Sequence, residues 1–372
     1  MPRIQRLWYS LNMEEEAPQP PQQPELPREP FVPPAPPVVA EPTKKPKSKL
    51  PFIIIGVACL FLVLTLVAVL AQKPKQSTTQ TTTANTTITK TANVQLDPNK
   101  DYGNKYANGI LPVGDKHVVT DAPKQGYVYA CKAYASTLGN AQVSNDVRGP
   151  WFVNNNTQYD VNKKAKVLGS VVWQPSLSNT ISNGIRTITT NNLPSHVTGS
   201  FPIARNDPAY TYDRNPYSIK AQTLAYGLNA SPAYGTPNCM GSEVGVMLSG
   251  AAIFNAFDAS GRDAGAWEIH DSCGGHPQKE GEYHYHTLSS CIKDASVQTV
   301  VGFALDGFPI TGPVVAKNNV LTTSDLDECH GLYGTITLEG KQITSYHYVM
   351  TEDFPYSVSC FRSQPSQPPG IH

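Results

Sequence analysis

The chain has 372 residues and balances 29 lysines and arginines against 29 aspartates and glutamates, for a formal net charge of +0. Its basic residues are not clustered on the part that can fold, so it lacks the electrostatic footprint of a nucleic-acid binder and that partner class is excluded. The length would admit two average domains, but Pro-rich and Thr-rich stretches at the front leave one large domain, big enough to bury a core.

Within residues 1–50, the stretch from Glu14 on is dense in Pro, Gln and Glu (E-E-E-A-P-Q-P-P-Q-Q-P, then P-P-A-P-P). Such a composition buries too little apolar surface to fold and favours extended polyproline II. It predicts a disordered spacer, with a ligand for SH3-like partners as the alternative. Residues 51–71 follow, and from Phe52 to Ala71 they carry no charge. That is long enough to cross about 30 Å of hydrocarbon as a helix, and too far from the start of the chain for a signal peptide. Lys44, Lys45, Lys47 and Lys49 precede this segment and only Lys73 and Lys75 follow closely, so the positive-inside rule places the N-terminus in the cytoplasm. The expected topology is a signal-anchored, single-pass protein of the cell membrane, touching the lipid bilayer through 51–71. Residues 72–93 read as a polar, Thr-rich stalk, with an N-glycosylation acceptor pattern at Asn85-Thr86-Thr87.

Beyond the stalk, runs rich in Val, Ile, Thr and Tyr alternate with Gly, Pro, Asn and Asp clusters, the mark of strands joined by turns. Strands are expected near Val167–Trp173, Arg186–Thr190, Val244–Leu248, Thr299–Leu305, Thr335–Leu338 and Ile343–Thr351, with tight hairpin turns at Asp306-Gly307 and Glu339-Gly340. The fold class is therefore mainly β: a disulfide-stapled, β-sandwich-like extracytoplasmic domain over 94–363, after one transmembrane helix and before a disordered tail, 364–372. Apart from Cys59 in the apolar segment, the cysteines are Cys131, Cys239, Cys273, Cys291, Cys329 and Cys360. An even set beyond a membrane segment points to disulfides in an oxidising compartment. The preferred pairs are Cys273–Cys291, Cys329–Cys360 and, by elimination, Cys131–Cys239, against other pairings or free thiols.

The chemistry of the chain concentrates between Asp271 and Cys291. His276, His284 and His286 lie there and His270 just outside, four of the nine histidines. On an extended strand alternate side chains share a face, which would set His284 and His286 about 6.6–7 Å apart along the backbone while Tyr283 and Tyr285 point the other way. Two imidazoles so placed can converge on a transition metal ion, with His276 as third ligand and Asp271 completing the set. His270, Asp306 and His347 are further candidates, although Asp306 also suits a turn former. Nitrogen-rich ligation suits Zn, Cu, Ni or Fe, with Zn or Cu the named expectation. The competing reading has these rings stacking and hydrogen-bonding as ordinary parts of a polar sheet. No Gly-x-Ser-x-Gly elbow or phosphate-cradling glycine motif is found, and Gly241-Ser242-Glu243-Val244-Gly245 does not match the first. The compartment argues against catalytic cysteine. Asp271-Ser-Cys273, Tyr283-His284-Tyr285 and Cys291 are echoed by Asp327-Glu-Cys329, Tyr346-His347-Tyr348 and Cys360. Because the gaps differ, this reads as a shared local device rather than a repeat.

Several segments together, G-A-A-I-F-N-A-F-D-A-S-G-R-D-A (250–264), E-I-H-D-S-C-G-G-H-P (268–277), G-E-Y-H-Y-H (281–286), V-G-F-A-L-D-G-F-P-I (301–310), L-D-E-C-H-G (326–331) and D-F-P-Y-S-V-S-C-F (353–361), resemble the YHYH-domain family over 242–362. Thr311 and Val349 depart from the family pattern, which has tyrosine and a second histidine at the matching places. The resemblance implies a domain identity without an established activity. Two functions stay open: metal-dependent binding or chemistry at His276, His284 and His286, or a non-catalytic cell-surface recognition or adhesion domain with an extracellular ligand.

Overall fold

A computed structural model describes residues 93–133 and 148–369. The expected tail, membrane span, stalk up to residue 92, glycosylation pattern and residues 370–372 lie outside the described residues. Among those described, no helix is long and apolar enough to cross a membrane. What is described is mainly β, with a single helical turn, α1 (Ala264–Trp267), and two short 3-10 turns.

The first strands are short. β1 (Ile110–Pro112), β4 (Phe152–Val153) and β5 (Gln158–Asp160) make one three-stranded sheet, and β2 (Val118–Val119) pairs parallel with β3 (Val128–Tyr129). β6 (Leu177–Ser182), β7 (Ile185–Thr190) and β8 (Leu224–Asn229) form an antiparallel sheet. β8 alternates strictly: Leu224, Tyr226 and Leu228 are buried while Ala225, Gly227 and Asn229 are exposed. Period-two patterning of this kind commits one face to the core, each large side chain contributing roughly 1.5–3 kcal/mol by leaving water. That face shares a core with the largest sheet, giving a sandwich-like packing. The expected strand at Val167–Trp173 is not continuous. Only Val167 and Val171 make bridges, and Leu168 and Val172 are exposed, so the segment has no second face to bury.

The largest sheet has eight strands: β9 (Glu243–Met247), β10 (Ala252–Phe254), β11 (Gly275–Pro277), β12 (Tyr283–Tyr285), β13 (Val300–Ala304), β14 (Pro309–Thr311), β17 (Gly331–Leu338) and β18 (Lys341–Val349). The small hairpin β15 (Val314–Ala316) and β16 (Asn319–Val320) lies outside it. Both expected hairpin turns are present. Glu339 and Gly340 carry φ of 53° and 75°, the two positive values that a tight turn between twisted strands requires.

Strand order in this sheet is β11-β12-β10-β9-β13-β14-β18-β17, and it reads alike from both ends. Each half has an antiparallel hairpin at the centre (β9–β10, β13–β14), a parallel pairing outward (β10–β12, β14–β18) and an antiparallel outer pair (β12–β11, β18–β17). Register agrees residue by residue. Gly245 pairs with Ile253, Ile253 with Tyr285 and Tyr285 with Gly275; Gly302 pairs with Ile310, Ile310 with Tyr348 and Tyr348 with Gly331. At the centre Val246 pairs with Phe303, its own counterpart, as a pseudo-two-fold axis between them demands. The echo seen in the sequence is thus the visible part of a duplicated unit and not merely a local device, a correction of the expectation above. The gap before the Tyr-His-Tyr element differs because β17 and β18 extend into a long hairpin, whereas β11 and β12 stop after three residues; at the base of the hairpin the register is the same.

Candidate metal centre

The frame of the site is a turn. The Asp271 carboxylate accepts the backbone N–H of Cys273 (2.9 Å), Gly275 (3.3 Å) and Gly199 (3.1 Å) and the Tyr283 hydroxyl (3.0 and 3.1 Å to its two oxygens). The Cys273–Cys291 disulfide closes the loop behind it. Residue 275 must be glycine, since a Cβ there would lie 2.3 Å from the Tyr283 ring. The pleat then sorts the side chains. Tyr283 and Tyr285 enter the main core with Val244, Val246 and Ile253, while His284 turns to the opposite face beside His276, its partner across the β11–β12 pair.

On that face four imidazoles and one carboxylate meet. His270, His276, His284 and His286 are each between 3% and 6% exposed. His284 Nε2 lies 3.1 Å from His286 Nε2, and Glu268 Oε2 lies 3.2 Å from His286 Nε2, 3.4 Å from His276 Nε2 and 4.0 Å from His270 Nε2. Phe254 stacks on the His284 ring at 4.1 Å. One ring nitrogen from each of His276, His284 and His286 lies within 4.8 Å of the other two, as do a carboxylate oxygen of Glu268 and one ring nitrogen each of His270 and His276.

Hydrogen bonding fixes the tautomers. His284 Nδ1 faces the Glu282 carbonyl at 3.2 Å and His286 Nδ1 faces the Asn255 carbonyl at 2.5 Å. A carbonyl only accepts, so each Nδ1 carries the proton and each neutral ring points an Nε2 lone pair at the other. A 3.1 Å contact between two lone pairs is repulsive unless a cation lies between them. Glu268 Oε2, His270 Nε2 and both nitrogens of His276 are also buried without a hydrogen-bond partner. One proton on Glu268 could serve at most one of these atoms, whereas one metal ion could serve most of them. Nitrogens about 2.1 Å from a shared tetrahedral ion lie roughly 3.4 Å apart, close to the separations found here.

Burial holds His270, His276 and His284 well below the ordinary imidazole range and His286 down to about 4, which keeps their lone pairs free. The same burial pushes Glu268 well above the carboxylate range. A cation among the rings would reverse that shift. The outward Nδ1–H bonds to carbonyls are the supports that metal-bound histidines ordinarily have.

Of the residues singled out in the sequence, the structure brings together His276, His284, His286 and His270. It does not bring in Asp271, whose oxygens are spent on the turn and on Tyr283. Asp306 accepts from the Tyr348 hydroxyl (2.7 Å) and from the N–H groups of Arg362, Ser363 and Phe308, well away from the cluster. His347 lies in the other half of the sheet, its Nδ1 on the Ser345 carbonyl at 3.1 Å. His196, outside the cluster, meets the Tyr285 hydroxyl through its Nε2 at 2.6 Å. Glu268 is the ligand candidate the sequence reading missed. Its signal was the spacing Glu268-x-His270, which puts both side chains on one side of an extended segment.

The disulfides are Cys131–Cys239, Cys273–Cys291 and Cys329–Cys360. The model of the family described as YHYH protein matches residues 225–322, a stretch that holds all five residues of the cluster. No curated protein and no solved structure matches the chain. With a matching family model, and the Tyr-His-Tyr strand dividing a tyrosine core from a histidine face, this chain carries a YHYH domain.

Proposed function

We propose that the YHYH domain holds one transition metal ion, zinc or copper, through His276, His284 and His286, with Glu268 as fourth donor and His270 next to it. The observation that carries this reading is the facing pair of Nε2 lone pairs at 3.1 Å, both Nδ1 atoms being committed to carbonyls. Nitrogen-rich ligation with one carboxylate suits zinc or copper better than the hard cations, which take oxygen. A cleft of about 620 Å³, lined by Lys164, Tyr159, Gly265, Thr287 and Glu352 among others, reaches His270 at the edge of the cluster. We further propose that residues 51–71 anchor this domain outside the cell membrane, with the Pro-rich tail in the cytoplasm. The uncharged run and the lysine asymmetry support that topology, and three disulfides suit an oxidising compartment.

The test is metal content, by plasma mass spectrometry, of the full chain purified in detergent beside a His284→Ala/His286→Ala variant. About one zinc or copper per chain, absent from a variant that stays folded, is expected. No metal in either protein after reconstitution with both ions would overturn the reading. For the anchor, alkaline carbonate should leave the chain in the membrane pellet, and its release would sink that part.

A further inference from the structure

The second half of the eight-stranded sheet has the frame of the site without its ligands. Asp327 accepts the N–H of Cys329 and Gly331, each at 2.9 Å, and the Tyr346 hydroxyl at 3.1 Å to both oxygens. The turn and the tyrosine hydroxyl repeat those at Asp271; the further donor differs, the Arg362 guanidinium at 2.7 and 3.1 Å standing where Asp271 has the Gly199 N–H. The Cys329–Cys360 disulfide closes the loop, a Cβ at Gly331 would lie 2.3 Å from the Tyr346 hydroxyl, and His347 Nδ1 rests on the carbonyl two residues before it, as His284 does. Counting outward from the shared aspartate and tyrosine, Glu268, His270 and His276 correspond to Ser324, Leu326 and Leu332, and His284 and His286 to His347 and Val349. Leu326, Leu332 and Val349 are buried together with Val297 and Leu321 in one apolar cluster, with Val94 and Leu96 packed on its rim. His347 Nε2 is left buried and unpartnered.

We infer that the second unit is the same metal site in a filled form: its frame is intact, its ligand positions hold leucine and valine, and its one remaining imidazole faces a site with no ion to bind. Resting on the reading above, this assigns the residues that decide metal binding. They are the five positions at which the two units differ or match in ligand chemistry, and Asp271, Tyr283, Gly275 and the disulfide serve only to place them. A transition metal should therefore be installable in the second unit by restoring imidazoles there.

The experiment takes the full chain carrying Leu326→His/Leu332→His/Val349→His with His347 in place, loaded with zinc and dialysed. Zinc should rise from about one to about two per chain, and adding His347→Ala should return it to about one. A folded triple variant that stays at one overturns the inference while leaving the first site standing, whereas wild-type chain without metal sinks the first reading instead. Should the triple variant not fold, the converse exchange decides. His270→Leu/His276→Leu/His286→Val, which writes the filled unit into the first, should give a folded, zinc-free chain that melts above the metal-stripped wild type. Misfolding of that variant, or retained zinc, counts against the inference.

Discussion

The two halves of the large sheet share their strand order, register, aspartate turn, tyrosine hydroxyl and disulfide, yet bury opposite chemistry at one place. The first buries four imidazoles and one oxygen of the Glu268 carboxylate; the second buries Leu326, Leu332 and Val349. The frame is therefore independent of what it encloses. Apolar filling needs no partner, whereas buried imidazoles lacking hydrogen bonds each cost on the order of 1–3 kcal/mol. A chain that gathers unpartnered rings at one place in the first half, while the second half fills the matching place with leucine and valine around a single imidazole, His347, retains them at a cost in stability that bound metal would offset.

Breaking the ligand side of this comparison should give the largest effect. His284→Ala/His286→Ala should remove all bound metal, and Glu268→Gln should weaken zinc by at least 10–100-fold, on the order of what peripheral residues of metal sites contribute, read by competition with a chromophoric chelator. An effect of Glu268→Gln below twofold would exclude the carboxylate from the set. Next come the disulfides. Cys273→Ser/Cys291→Ser and Cys329→Ser/Cys360→Ser open loops of 18 and 31 residues, and each should cost about 3 kcal/mol in denaturant titrations. Only the first should also lower metal affinity, because only its loop carries a ligand strand. Smaller again, Tyr283→Phe and Tyr346→Phe each delete one hydroxyl donor to a buried aspartate and should cost about 1–2 kcal/mol, the second less than the first because Arg362 still pairs with Asp327. A larger cost at Tyr346 than at Tyr283 would mean that Arg362 does not compensate the lost hydroxyl.

How far the site was legible follows from which signals are local. The alternation Tyr283-His284-Tyr285 assigns faces by the pleat alone, and the strands at Arg186–Thr190 and Val244–Leu248 announce themselves by β-branched runs between turns. The hairpin at Glu339-Gly340 could be read because a positive-φ turn has few residue choices. Glu268 was hidden, since its relation to His286 is made by chain return and not by spacing. Asp271 drew attention as a carboxylate among histidines, but next to His270 on an extended segment it must face away, and the turn at Cys273 claims it. The duplication was obscured by a hairpin extended in one copy only, which changes gaps while preserving register. The exchange of histidine for leucine at the ligand positions removed the similarity a reader would seek.

The finest distinction between the halves is the pH response of the unmatched ring. His347 is fully buried, and burial lowers it to about 4. In the folded chain it stays neutral while in the unfolded chain it protonates near 6.5, so the unfolded state binds the extra proton below that value. Its contribution to stability is therefore complete above pH 6.5 and is lost as pH falls toward about 4. His347→Leu removes that proton uptake and leaves the buried carboxyls, which respond in the opposite sense, the same in both proteins. Between pH 7 and 5.5 the wild type should lose about 1 kcal/mol relative to the variant, a widening of roughly 2–4 °C in the difference of melting temperatures. Metal content should not change. Parallel melting curves across that range would mean that His347 finds a proton partner when folded, and the second unit would then not be a sealed copy of the first.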